Sequence, residues 1–157
     1  MKILISSCLL GNSVRWNGAQ KLNEKLLSWC GENGIELIPV CPENELYGTP
    51  RSPIKLIQIE DKTCAMMNGK DILDELDKKC SEIYDRHPDA VGFIGISKSP
   101  SCGINVGVKG LGRTVKGSMH KVSKIPTTET SQIKHENAKR IFLKRIEKRR
   151  KSNGIGD

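Results

Sequence analysis

Three short apolar runs set the terms on which this chain of 157 residues can fold. Residues 2–7 (KILISS), 35–40 (IELIPV) and 90–97 (AVGFIGIS) are rich in β-formers and nearly continuous in apolar character. That is the pattern of strands buried on both faces, as in a parallel sheet, rather than of half-solvated strands that alternate. Helical spacings lie between them. Residues 20–32 place Leu22, Leu26 and Trp29/Cys30 a turn apart, with Gly31 and Gly34 as a stop. Residues 70–86 carry Ile72, Leu76, Cys80 and Ile83 on one face, with Leu73 and Tyr84 beside them. Strand–helix–strand followed by helix–strand predicts a three-layer α/β fold: a mostly parallel sheet flanked by helices, with its ligand site at the C-terminal edge of the strands.

The length suits one domain with a real core and is short for two. Residues 1–151 are therefore expected to form a single α/β domain, with 152–157 as a frayed tail. Within it, 41–52 reads as loop, because Pro42, Gly48, Pro50 and, just beyond, Pro53 interrupt every period. Residues 55–67 read as a hairpin closed by Asn68-Gly69, and 99–117 is glycine-rich. Residues 131–151 read as a basic helix with Ala138, Ile141, Phe142 and Ile146 along its apolar stripe. Nine Lys or Arg side chains between 134 and 151 face only Glu136 and Glu147, so this segment carries nearly all of the net charge of +8. It is either a solvated helix face or a footprint for nucleic acid. Aromatic residues make up only 4% of the chain, which argues against a dedicated single-strand stacking platform.

No run approaches the roughly 18 apolar residues of a membrane span. The short apolar stretch after Met1-Lys2 ends in Ser6-Ser7-Cys8 without a small-residue cleavage pattern, so a cytoplasmic protein is expected. In a reducing compartment the six cysteines, at 8, 30, 41, 64, 80 and 102, are first metal-binding, catalytic or buried residues, and disulfides only second. None forms a CxxC pair. Cys8, Cys41 and Cys102 each follow one of the three apolar runs. In a parallel sheet they would converge on one edge, as a ligand set or as separate buried fillers. Cys30 and Cys80 fall on apolar helix faces and Cys64 in the hairpin, where core packing is the better account. His87, His120 and His135 show no metal-ligand spacing and read as non-catalytic.

The text around the three strand-end cysteines is SSCLLGNSVRWNG, PVCPENELYGTPR and SKSPSCG. Together these segments resemble the thiouracil desulfidase-like family, long known as domain of unknown function 523, over about the first two-thirds of the chain. After Gly103 the common short-form pattern is not followed. The resemblance implies that Cys8, Cys41 and Cys102 hold a [4Fe–4S] cluster and leave one iron open to a soft thione sulfur. It implies non-redox, hydrolytic desulfuration of a thiolated pyrimidine, as a thiouracil-like base, a nucleoside or a tRNA thiouridine, with release of sulfide.

Glu43, two residues after Cys41, is then the expected general acid/base, and Ser99 a substrate-positioning or proton-relay group. Arg15, Trp16 and Asn17 are candidates for a pocket wall, with the indole stacking on the ring. Lys98 and Ser101 flank the third ligand and are candidate substrate-binding donors, while Arg51 is expected to orient the Cys41 loop. Two other classes remain open. One is a non-enzymatic sensor, in which the thiolates hold zinc or an oxidisable cluster and Glu43 and Ser99 have no required role. The other is an RNA-binding module that uses the basic tail.

Overall fold

A computed structural model describes residues 1–154. The elements run β1 (Lys2–Ser6), α1 (Glu24–Glu32), β2 (Glu36–Val40), α2 (Pro42–Tyr47), β3 (Lys55–Ile59), β4 (Lys62–Met67), β5 (Lys70–Asp71) and α3 (Leu73–Arg86). They continue with β6 (Ala90–Gly95), β7 (Val106–Gly107), β8 (Thr114–Val115), α4 (Ser118–Lys121), β9 (Thr127–Glu129), α5 (Thr130–Ile133) and α6 (Glu136–Ser152).

The central sheet has the order β2-β1-β6-β9, and every pairing in it is parallel. The α/β architecture expected from the three apolar runs is therefore the observed one. β6 is buried at all six positions, as a central parallel strand must be. One face of the sheet packs Ile3, Ile5, Val91 and Ile94 against Leu26 and Cys30 of α1, Ile133 of α5, and Phe142 and Ile146 of α6. The other packs Leu4, Ala90 and Phe93 against Cys80 and Ile83 of α3 and Met119 of α4. A third cluster joins Leu56 and Ala65 of the β3–β4 hairpin to Ile72 and Leu76 at the start of α3.

Register places the site. β1 and β2 pair from Lys2↔Glu36 to Ser6↔Val40 without a shift, so both strands end level. Gly95, the last residue of β6, lies level with Glu129 at the end of β9. Whatever follows Ser6, Val40 and Gly95 therefore leaves the sheet along one rim.

The structure departs from the sequence reading at several element boundaries, among them the helix expected over 20–32, which starts only at Glu24. Residues 42–47, expected as loop, form α2: Pro42 occupies the first turn and the Cys41 side chain caps it by accepting the Asn44 N–H at 3.4 Å. The β3–β4 hairpin turns at Glu60-Asp61, and Asn68-Gly69 makes the next turn, into β5. Asp71 accepts the N–H groups of Ala65 and Leu73 at 3.0 and 3.1 Å, holding residues 70–71 in the ladder and delaying α3 to Leu73. β9 is only three residues long, too short to show a period in the sequence. The basic helix expected over 131–151 is broken at Lys134-His135, where His135 takes an extended conformation (φ −92, ψ 138). Of the expected frayed tail, Ser152 ends α6, Asn153 and Gly154 form a turn, and 155–157 lie outside the described residues. No helix among the described residues is long and apolar enough to cross a membrane.

Candidate functional site

The rim holds a cavity of about 250 Å³ lined by Cys8, Cys41 and Cys102, three thiols more than 30 residues apart in sequence. Each arrives by a different local device. β1 runs directly into a 3₁₀ turn, Ser7–Leu10, whose Cys8 carbonyl accepts the N–H groups of Gly11 and Lys21. β2 delivers Cys41 as the cap of α2, with its thiol 3.8 Å from the Val14 carbonyl. β6 delivers Cys102 through the loop 96–103. That loop is tied to β1 by the Ile96 N–H, which donates to Ser6 Oγ at 2.9 Å.

The segment after Gly103, uninformative as sequence, braces the Cys102 loop. Gly117, Ser118 and Met119 donate their N–H groups to the carbonyls of Gly103, Pro100 and Ser101 at 2.7, 3.2 and 2.8 Å. The buried His120 imidazole lies beside them. Its Nε2–H donates to the Cys102 carbonyl at 2.6 Å, and its ring tilts against Phe93 with centroids 5.2 Å apart. Burial lowers the His120 pKa, so the ring is neutral here. Glu129 accepts the Ile104 N–H at 2.6 Å. His120 and Glu129 are site-supporting residues that sequence reasoning missed. Only their distance in sequence hid them.

Burial raises the pKa of all three cavity thiols: Cys8 to about 11, Cys102 to about 12, and Cys41 upward as well. Mutual repulsion adds to this, since Cys41 raises both Cys8 and Cys102. Against this, Arg15 favours the thiolate of Cys8, and the Asn44 N–H and Arg51 favour that of Cys41. Buried thiols that resist ionisation alone but sit together need a cation to be brought to thiolates, the behaviour of metal ligands.

Glu43 lies on the first turn of α2, only 9% exposed. Its Oε2 accepts from Ser101 Oγ at 2.7 Å and from Ser99 Oγ at 3.3 Å, and Ser101 Oγ also stands 3.6 Å from Cys102 Sγ. Its Oε1 stands 3.9 Å from Arg51 Nε. Ser99 Oγ accepts the N–H groups of Ser101 and Cys102, so one serine links the carboxylate to the Cys102 loop. Arg51 Nη1 donates to the carbonyls of Val14 and Gly48 at 2.8 and 3.0 Å, and its backbone N–H donates to the Trp16 carbonyl at 2.8 Å.

Arg15, Trp16 and Lys98 line the same cavity; Trp16 is 44% exposed, at the mouth, and Lys98 is exposed with a left-handed φ of 68°. Asn17 is not brought in. It is exposed, and its Oδ1 accepts the Ala19 N–H at 3.0 Å, closing its own turn. The expected wall of Arg15, Trp16 and Asn17 is thus corrected to Arg15 and Trp16. Cys30, Cys64 and Cys80 are buried elsewhere, in α1, β4 and α3, and none lines the cavity.

These residues fit an iron–sulfur cluster by the chemistry of the donor set. Three soft thiols and no histidine line one cavity, and the cations Arg15, Arg51 and Lys98 outnumber the single carboxylate Glu43. A cluster held by three thiolates is anionic, so that excess of positive charge complements it. Among the described residues, no three His, Cys, Asp or Glu side chains are gathered as a single-ion site.

Residues 3–144 match the family model described as 2-thiouracil desulfurase. A solved structure titled as a [4Fe–4S]-dependent thiouracil desulfidase, TudS, superposes with a TM-score of 0.69 at 25% identity. The match covers 90% of this chain and 98% of that one. No curated protein matches the chain.

Proposed function

The chain belongs to the 2-thiouracil desulfurase family, and from that premise we propose that it hydrolyses the C–S bond of a thiolated pyrimidine and releases sulfide. The observation that carries the reading is the meeting of three strand-end thiols and the Glu43–Ser99–Ser101 network in one cavity.

In this reading Cys8, Cys41 and Cys102 hold a [4Fe–4S] cluster. When bound, the cluster supplies a Lewis-acidic iron with an exchangeable position for a thione sulfur. The chain's own residues do the rest. Glu43 takes a proton from the attacking water at a carboxylate oxygen and returns it to the departing group. Ser99 and Ser101 fix that carboxylate through Oε2, so its position is set before substrate enters. Trp16 offers its indole face to the pyrimidine at the mouth. Lys98 and Arg15 place positive charge where sulfide leaves. The reducing cytoplasm is the compartment that keeps such thiols free.

A sensor has no use for a buried carboxylate fixed by two serines. A second reading concerns the size of the substrate. Arg140, Lys144, Lys148 and Lys151 are exposed on α6 at spacings of one helical turn, a stripe suited to phosphates. It supports a thiolated tRNA as one form of the substrate.

The test is anaerobic reconstitution followed by sulfide release from 2- and 4-thiouracil and from thiolated tRNA. Release from any of the three supports the reading, and a loaded protein that releases none from all three contradicts it. For tRNA, a steep fall of affinity with salt that is blunted in a K144E/K148E variant supports contact by α6. An unchanged salt slope rejects it.

A further inference from the structure

Ser6, the last residue of β1, is 2% exposed and lines the cavity with the three thiols. Its Oγ accepts the Ile96 N–H at 2.9 Å, which ties the end of β1 to the Cys102 loop. A serine hydroxyl has one proton to give besides its lone pairs. With Ile96 on the oxygen, that proton is left for another acceptor. Among the described residues no carboxylate or carbonyl oxygen takes it.

Sulfur is the acceptor on offer. A hydrogen bond from Ser6 does more than any other neighbour to favour the Cys102 thiolate against its burial. Cys102 Sγ has one other hydroxyl in reach, Ser101 Oγ at 3.6 Å, but that proton goes to Glu43 Oε2 at 2.7 Å. Cys8 and Cys41 draw instead on Arg15, Arg51 and backbone N–H groups, among them the Asn44 N–H at 3.4 Å from Cys41 Sγ. Cys102 is thus the cavity thiol served by a buried hydroxyl that no other task engages.

We propose that the Ser6 hydroxyl donates to the Cys102 thiolate when the cluster is bound, drawing electron density from the cluster and keeping it a strong Lewis acid. The proposal rests on the desulfidase reading of the cavity and adds a residue that tunes the cluster in that reading. Hydrogen bonds to a ligand sulfur weaken its donation to iron and raise the reduction potential. The proposed reaction is non-redox, yet the potential reports the same electron density that sets Lewis acidity.

The experiment is an anaerobic redox titration of reconstituted wild type, Ser6→Ala and Ser6→Thr, with iron per chain as the check on loading. Ser6→Ala is expected to titrate at a more negative midpoint potential, and Ser6→Thr, which keeps the hydroxyl, at the wild-type value. Loss of the Ile96 tie alone predicts the opposite sign. Water let in by a loosened loop favours the more negatively charged reduced cluster and raises the potential. A Ser6→Ala potential equal to or above that of the wild type overturns the proposal, and so does an equal fall in Ser6→Thr. If Ser6→Ala takes up no iron, the wild type decides. Its Fe–S(Cys) stretching bands should shift within seconds of transfer into D2O, when hydroxyls have exchanged and buried amides have not. Bands that stay in place over that interval overturn the proposal. A loaded wild type that releases no sulfide counts against the desulfidase reading, while the potentials still decide the role of Ser6. A wild type that binds no cluster removes both.

Discussion

A cysteine's neighbours decide whether it is a ligand or filler, and the six here divide cleanly by that test. Cys8, Cys41 and Cys102 share a cavity, whereas Cys30 and Cys80 pack in apolar clusters and Cys64 lies in β4 beside Asp71, none of them lining that cavity. Serine at 8, 41 or 102 is expected to abolish or sharply reduce bound iron after anaerobic reconstitution. Alanine at 30, 64 or 80 should leave iron per chain unchanged and lower stability by about 1–2 kcal/mol for the lost packing. Iron analysis and denaturant unfolding separate the two groups, and equal iron loss across all six would remove the distinction. Glu43→Gln keeps the hydrogen-bonding shape but cannot take a proton. It should retain iron and lose about 10²–10⁴-fold in sulfide release. Full activity in that variant would take Glu43 out of the mechanism. The candidate ligands and Glu43 were legible in the sequence because each lies beside a strand end or a motif. His120 and Glu129 were not, because they act on the Cys102 loop through contacts of long sequence separation.

At the scale of elements, the three apolar runs were legible because burial on both faces leaves an unbroken signature. Short elements left none. α2 was hidden by Pro42, which reads as a breaker yet suits a helix's first turn, and by a cysteine acting as cap. β9 pairs over three residues only. Two positions test the element-scale account. A Cβ at Gly95 would lie 1.8 Å from the Cys102 carbonyl oxygen, so the end of β6 can pass under the Cys102 loop only as glycine. Gly95→Ala must push that loop away, costing on the order of 1–3 kcal/mol and reducing bound iron. A variant as stable and iron-rich as the wild type would show the loop to be less constrained than this.

Asp71 tests the junction of hairpin and helix. Burial alone would raise its pKa, but the N–H groups of Leu73 and Ala65, with Cys64 and Lys62, outweigh burial and hold it below the usual 3.8. A depressed carboxylate contributes stability that is fully present above the unfolded value and lost as pH falls through the folded one. Wild-type stability should therefore drop as pH falls below about 3.8. Asp71→Ala should lose about 1–3 kcal/mol at neutral pH and show a weaker acid dependence. Identical acid profiles for the two chains by denaturant titration would contradict this.

Over the whole molecule, the parallel sheet works as an alignment device. It ends β1, β2 and β6 at one rim, so thiols at positions 8, 41 and 102 meet without a local motif. The helices of both faces hold that rim level, and α4 clamps the last ligand loop from the far side. Because the three thiols meet only when the sheet is formed, the proposed cluster binding would be coupled to folding. The loaded chain should unfold at higher denaturant than the cluster-free one. The central claim is most directly tested by counting iron and acid-labile sulfide in the anaerobically reconstituted chain, beside the Cys8→Ser/Cys41→Ser/Cys102→Ser triple variant. The account predicts about four of each per wild-type chain, with broad visible absorbance, and none in the triple variant. A wild type that takes up no iron, or a triple variant that takes up as much, would contradict it.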